Sequence, residues 1–119
     1  MEDFGLVFDD GGNCAMLVGE DFPVNVRRDA KGGRLVLSAP VAPELPEGVD
    51  YAFMQTLLDF ALAPMLDGSP AIGRDPESGT LIAYAILPAD ELTEVSFREA
   101  LEAFVGFAMG MAEKLAAVV

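Results

Sequence analysis

Apolar and polar residues alternate along two short segments in the first third of the chain, the period-two pattern of half-buried β-strands. Val24 and Val26 share one side of the first segment, and Leu35 and Leu37 share one side of the second. A further apolar segment precedes them, and turn residues rich in Gly and Asp separate all three. The pattern predicts an antiparallel meander with strands over residues 14–18, 23–28 and 34–39. Residues 4–8 form one more short apolar segment, which we expect to be extended.

The spacing changes after residue 40. Three prolines within residues 40–46 predict a connector without regular structure. Beyond it, Phe53, Leu57 and Leu62 recur at helical spacing behind Asp50, a fair N-cap, and Pro64 follows at the end. We therefore predict a helix over residues 51–62.

A second hairpin follows, with a turn over residues 75–79 between predicted strands at 69–74 and 80–87. Ile82, Tyr84 and Ile86 line one face of the later strand, and the other face is also uncharged. This pattern predicts a strand that is covered on both sides.

The last predicted element is a helix. Ser96 and Glu99 match the Ser-x-x-Glu capping box that opens a helix. Apolar residues then extend almost around the helix, which predicts burial on more than one side. Gly106 and Gly110 inside it suggest the close approach of another element, most simply the domain's own sheet. The whole order predicts an α+β fold, an antiparallel β-sheet with flanking helices.

Charge and composition restrict the function. The 20 Asp and Glu outnumber the 7 Lys and Arg, and the net charge of −13 argues against nucleic acid or an anionic membrane as partner. The chain has no histidine, one cysteine (Cys14) and no phosphate-binding glycine motif, so we expect no catalytic residue, metal or cofactor. The longest uncharged apolar run, residues 103–112, is about half of the ~20 residues that a spanning helix needs. We expect a cytoplasmic protein.

Residues 68–81, Gly-Ser-Pro-Ala-Ile-Gly-Arg-Asp-Pro-Glu-Ser-Gly-Thr-Leu, lead into a long apolar strand that ends at Leu87-Pro88. This stretch resembles the second hairpin of the class I type III secretion chaperones, the CesT-like Tir chaperone family. Residues 10–14 and 34–40 look like that family's first strands, and residues 51–62 look like its dimer helix. The resemblance covers nearly the whole chain, so we expect a single domain over residues 1–119. Only Met1-Glu2-Asp3 precede Phe4, so we expect the family's N-terminal helix to be missing or truncated.

The resemblance implies a homodimeric cytosolic chaperone. Such a protein binds the N-terminal segment of a secreted effector in extended form and keeps it soluble and competent for secretion, without ATP. A chaperone-like adaptor or regulatory dimerisation module of the same fold is the alternative, and a small enzyme is a third hypothesis. The surplus of apolar residues in a short, acidic chain also favours a second chain as cover.

The predicted interfaces follow from these patterns. The predicted dimer interface is Phe53, Leu57 and Phe60 of the helix with Ile82, Tyr84 and Ile86 of the strand. The predicted client-binding residues are apolar side chains of the meander, taken to face outward, and two of the last helix: Val24, Val26, Leu35, Leu37, Phe104 and Phe107. The competing interpretation of the client set is that these residues form the core.

Overall fold

The computed structural model describes residues 6–19, 22–29 and 33–118. Residues 4 and 5 of the predicted N-terminal segment lie outside these ranges, as do parts of the two meander turns, residues 20–21 and 30–32. The strands are β1 (Asn13–Val18), β2 (Phe22–Asp29), β3 (Arg34–Ala42), β4 (Ala71–Arg74) and β5 (Leu81–Pro88). The helices are α1 (Tyr51–Ala61), α2 (Ala63–Leu66) and α3 (Glu94–Ala117), with a single 3-10 turn at Ala89–Glu91.

The five strands form one antiparallel sheet in the order β1-β2-β3-β5-β4. Their registers align the apolar alternation across the sheet, because Val26 lies opposite Leu37 and Leu37 lies opposite Ala85. Side chains on the same pleat therefore form one continuous apolar face. The predicted α+β class, the meander and the second hairpin are confirmed.

The core lies between this face and α3. Helix α3 packs across β3 and β5, and Phe104 at its centre is fully buried. Ala83 and Ala85 of β5 are small, which leaves volume beneath the helix for larger side chains. Helix α1 lies on the same side, where the Phe60 ring meets the Phe107 ring edge-on with centroids 5.5 Å apart. The sheet residues of this core are Val24, Val26, Leu35, Leu37, Ala39, Val41, Ile72, Leu81, Ala83 and Ala85, and Ala71 of β4 is buried as well.

The predicted N-terminus of α1 is confirmed by its cap. Asp50 has an extended backbone, and its carboxylate accepts a 2.8 Å hydrogen bond from the backbone N–H of Phe53. The helix ends at Ala61, and Pro64 lies in the first turn of α2. A proline is tolerated there because the first-turn N–H groups have no partner within the helix.

The capping box of α3 lies three residues before the predicted one. Thr93 is the N-cap, and its hydroxyl accepts from the backbone N–H of Ser96 at 3.0 Å. The Ser96 hydroxyl accepts in return from the N–H of Thr93 at 2.8 Å. Ser96 is therefore the third helical residue and not the cap, and the prediction that paired Ser96 with Glu99 is wrong.

Gly106 and Gly110 do not mark the close approach of another element within the part of the chain that the structure describes. A Cβ atom built on either residue meets nothing within 4 Å. The helical period explains this, because Phe104, Ala108 and Met111 point to the sheet and leave the glycines on other sides of α3. The expectation that these glycines pack against the domain's own sheet is wrong.

Two predictions about the strands also need correction. Strand β3 continues through Pro40 to Ala42, so the predicted connector starts later. The pairing of β3 with β2 ends at Ser38, two residues before Pro40, which has no N–H to donate. Strand β5 is covered on one side only, because Leu81, Ala83 and Ala85 are buried while the alternate side chains are half-buried.

Asp75 builds the turn of the second hairpin. Its carboxylate accepts from the backbone N–H of Glu77 at 3.0 Å and from the Ser78 hydroxyl at 3.1 Å. These hydrogen bonds, the Glu77 bond foremost, lower the pKa of Asp75 below its ordinary value of 3.8. Gly79 takes a φ of 80°, which an L side chain rarely adopts. The predicted Asp-Pro-x-x-Gly turn is confirmed.

Candidate binding surfaces

The side of the sheet away from α1 and α3 keeps apolar side chains within reach of solvent. We call this side the open face. Its residues on β1, β2, β3 and β5 are all half-buried or exposed, in contrast with the buried residues that alternate with them on β2, β3 and β5. The open face consists of Asn13, Ala15, Leu17, Pro23, Asn25, Arg27, Val36, Ser38, Pro40, Ile82, Tyr84 and Ile86.

A groove of about 470 Å³ crosses one end of the open face. Its volume falls within the range of about 300–1,000 Å³ that is usual for ligand sites. Leu17, Pro23, Pro40 and Ile82 make its walls largely apolar, and Asn25 is one of its few polar residues. Leu17 is 65% exposed, although the side chain is large and apolar. A surface of this kind is suited to apolar side chains from another chain.

A second apolar surface runs along α1 and α2. We call it the helical patch: Tyr51, Met54, Leu58, Leu62, Met65 and Leu66, all exposed. Leu58 is 65% exposed, as much as Leu17. A groove of about 230 Å³ lies beside it, where Met54 and Leu58 face Ile72 and Arg74 of β4. Exposed apolar side chains grouped on one surface are typical of interaction sites.

The structure places the predicted client-binding residues in the interior. Val24, Val26, Leu35, Leu37 and Phe104 are each 2% exposed or less. They belong to the pleat that faces α3, so a client cannot contact them while α3 stays packed. The prediction that the meander residues face outward is wrong, because alternation identifies two faces of a strand without saying which of them the helix covers. Phe107 is half-buried against Phe60.

The six predicted dimer residues divide between the two sides of the sheet. Leu57 is buried, and Phe53 and Phe60 pack against the core beneath α1. Ile82, Tyr84 and Ile86 lie on the open face. They do not form one continuous surface. Leu58 and Leu62 are exposed, although their helical spacing had placed them on the same apolar side of the helix as Leu57.

The sequence did carry a signal for the open face. Leu17 and Ile82 are large apolar residues in the opposite phase to the buried ones, and they share a face with Pro23 and Pro40. Proline within a strand indicates a place where the ladder is not complete. Neither signal by itself separates a client surface from a loosely packed second core.

The cations near the second meander turn are partly paired. Arg34 bonds the Asp29 carboxylate at 2.7 Å, and the Arg28 guanidinium lies 4.6 Å from the centre of the Phe8 ring. Lys31 of the same cluster lies outside the described residues. Cys14 is half-buried on the pleat of Val26. Within residues 6–19, 22–29 and 33–118, no three His, Cys, Asp or Glu side chains are grouped to hold a metal ion.

Comparison with known proteins identifies the chain. The model of the Tir chaperone protein (CesT) family matches residues 3–111. The chain belongs to the Tir chaperone protein family. The resemblance seen in the second hairpin is thereby confirmed, and the protein is a type III secretion chaperone. None of the curated protein sequences matches this chain.

Solved structures agree with the family. A chain of the HopA1–SchA chaperone–effector complex is 30% identical, with a TM-score of 0.77, over 91% of this chain and 80% of that one. A chain of the ExsC–ExsE complex is 24% identical, with a TM-score of 0.75, over 92% and 80%. A chain of the heterodimeric ExoU–SpcU complex from the type III secretion system of Pseudomonas aeruginosa is 13% identical, with a TM-score of 0.71, over 94% and 91%. The last two show the shared fold.

The described part of this Tir chaperone family member contains no helix long and apolar enough to cross a membrane.

Proposed function

We propose that this chaperone is a cytoplasmic homodimer that holds the N-terminal segment of a secreted effector in extended form across the open face. The observation that carries the proposal is the groove at Leu17, Pro23, Pro40 and Ile82, an apolar recess on the side of the sheet opposite the helices. Holding an apolar segment in this recess keeps it out of water and so prevents its aggregation. Alternate side chains of an extended segment recur at the spacing of the strand residues beneath them.

The charge of the chain supports a role in keeping a client soluble. A net charge of −13 repels like molecules, so a chaperone–client complex with exposed apolar segments stays dispersed. The groove itself is lined mainly by apolar groups, so contact area rather than ion pairing provides the affinity. Binding is therefore expected to change little between low and moderate salt.

Purification from the native host, with identification of the bound protein, tests the client. Leu17→Asp should then abolish recovery of that protein, because it places a charge in the groove. Val95→Asp is a matched control, because Val95 is 64% exposed on α3, outside the groove, and the change adds the same charge. Loss of the client in both variants, or in neither, would contradict the assignment of the open face.

The helical patch is the proposed dimer surface. Its apolar residues lie side by side along α1 and α2, and two copies of one helix can meet across a two-fold axis. This assignment replaces Phe53, Leu57 and Phe60, which are turned inward, with their exposed neighbours. With the dimer surface on α1 and α2, Ile82, Tyr84 and Ile86 remain available to contact the client.

Leu58→Asp tests the dimer surface. An unpaired charge in a desolvated contact should weaken self-association by about 30-fold or more, or ~2 kcal/mol. Light scattering across a dilution series measures it, with Val95→Asp as the control at nearly equal exposure. A wild-type monomer at micromolar concentration would sink the proposal, and so would a Leu58→Asp variant that dimerises as well as the wild type.

We propose further that the chain is not an enzyme and uses no metal or nucleotide. The absence of histidine from the sequence and the absence of phosphate-loop motifs support this. Elemental analysis and absorbance of the purified protein test it, since a stoichiometric metal or nucleotide would contradict it.

A further inference from the structure

The sheet is split at the groove. The pairing of β2 with β3 ends at Asn25 opposite Ser38, yet β2 continues back to Phe22 and β3 continues on to Ala42. Over these residues β2 is paired only with β1, and β3 only with β5. A cleft therefore opens between two strands that are neighbours in the sheet.

Two prolines account for the cleft. If the register of Asn25 with Ser38 continued, Pro23 would lie opposite Pro40. Neither residue has an N–H to donate, so a ladder between them cannot form as elsewhere in the sheet. Proline in both strands at one rung keeps the ladder from closing, and the groove of about 470 Å³ occupies the space that results.

Polar groups lie at the closed end of the cleft. The Nδ2 of the Asn25 side chain donates to the Oδ1 of the Asn13 side chain at 3.1 Å, which orients the Asn25 amide and leaves its own Oδ1 to accept. Ser38 lies opposite, and its hydroxyl can both donate and accept. Both residues line the groove among apolar neighbours and are half-buried.

We propose that this cleft is a specificity subsite that takes an Asn or Gln side chain of the bound effector segment. A primary amide both donates and accepts, so it can satisfy Asn25 Oδ1 and the Ser38 hydroxyl together, while an apolar side chain leaves both unpaired. The recess lies between two neighbouring strands, so a single segment or side chain enters it and the sheet of a second copy does not. The proposal rests on the open face as the client surface, and adds what fixes the position of the segment.

Short synthetic peptides test the subsite. The probes alternate Leu and Ser, with one central Ser replaced by Asn, Gln or Leu, and their affinities are measured by fluorescence anisotropy. Peptides with a central amide should bind about fivefold to tenfold more tightly than the Leu peptide, the worth of one or two net hydrogen bonds. This preference should vanish when Asn25→Ala and Ser38→Ala are combined, because the amide peptides lose their hydrogen-bond partners and the Leu peptide no longer leaves a polar group unpaired.

Replacing the two prolines is a second, independent test of the subsite. Pro23→Val combined with Pro40→Val should let the ladder extend, which hydrogen exchange detects as protection of the two backbone N–H groups that the substitutions introduce. The same variant should lose the preference for the amide peptides. Pro43→Val is the matched control, because Pro43 is exposed in the connector and does not line the groove.

The outcomes separate the two proposals. If Leu17→Asp leaves the binding of every peptide intact, the open face is not the client surface and both proposals fail. If Leu17→Asp abolishes binding but the wild type does not prefer the amide, or the preference survives the Asn25 and Ser38 substitutions, only the subsite is wrong. No binding of any peptide overturns both.

Discussion

The sequence left two roles open for Phe104, a core residue or a client-binding residue, and a substitution at this position can separate them. Its side chain is 0% exposed, at the centre of α3 above the buried face of the sheet. Phe104→Ala removes a fully buried ring and leaves a cavity. Substitutions of this kind cost about 3–5 kcal/mol. Because small domains have a total stability of about 5–15 kcal/mol, the variant loses a large share of it.

Urea unfolding followed by far-UV circular dichroism measures this loss at one fixed protein concentration, because self-association adds to apparent stability. The midpoint should fall while the slope stays the same, and Tm should drop by about 10–20 °C. Met109→Ala is the control, because Met109 is 47% exposed on the same helix and its truncation should cost no more than about 0.5 kcal/mol.

A Phe104→Ala variant that unfolds within about 1 kcal/mol of the wild type would refute the packing argument. If such a variant also failed to bind its client, Phe104 would be a client-binding residue and the core assignment would be wrong. Equal losses for Phe104→Ala and Met109→Ala would show that α3 is not oriented as described.

Three further predictions concern the helix ends and turns. Thr93→Ala should destabilise the fold by ~1 kcal/mol and Glu99→Ala by less than about 0.5 kcal/mol, measured by urea unfolding, and the reverse order would restore the Ser96 cap. Gly106→Ala and Gly110→Ala should each stabilise the monomer fold by about 0.5–1 kcal/mol, since the new methyl meets open space. Weaker self-association in either variant would instead reveal a partner against that side of α3. The pKa of Asp75 is lowered on folding, so its stabilising effect is present above pH 3.8 and is lost as pH falls through the lower folded value. The stability difference between the wild type and Asp75→Asn should therefore close in acid, and a difference that does not change down to the lowest pH would contradict the hydrogen-bonded turn.

Local chemistry explains which predictions succeeded. Asp50 capped α1 as expected, because an N-cap needs only a side chain and the N–H three residues later. The turn at Asp75 also formed as expected, since its hydrogen bonds join residues at most five apart along the chain. The α3 cap was misplaced because Thr93 and Ser96 both have the chemistry of a cap, and helix position alone decided between them.

The sequence by itself determined the family, the strand and helix order and the two faces of each strand, because turns, caps and periodicity are properties of neighbouring residues. It did not determine which face α3 covers. Val24 and Leu37 became core and Ile82 became surface because one helix layer covers one side of the sheet only, a choice made by packing between elements far apart in the chain. The cleft between β2 and β3 is likewise decided by contacts between residues far apart in the chain. Pro23 and Pro40 matter only as a pair, because the register of β2 with β3, if continued beyond Asn25 and Ser38, would place them opposite each other.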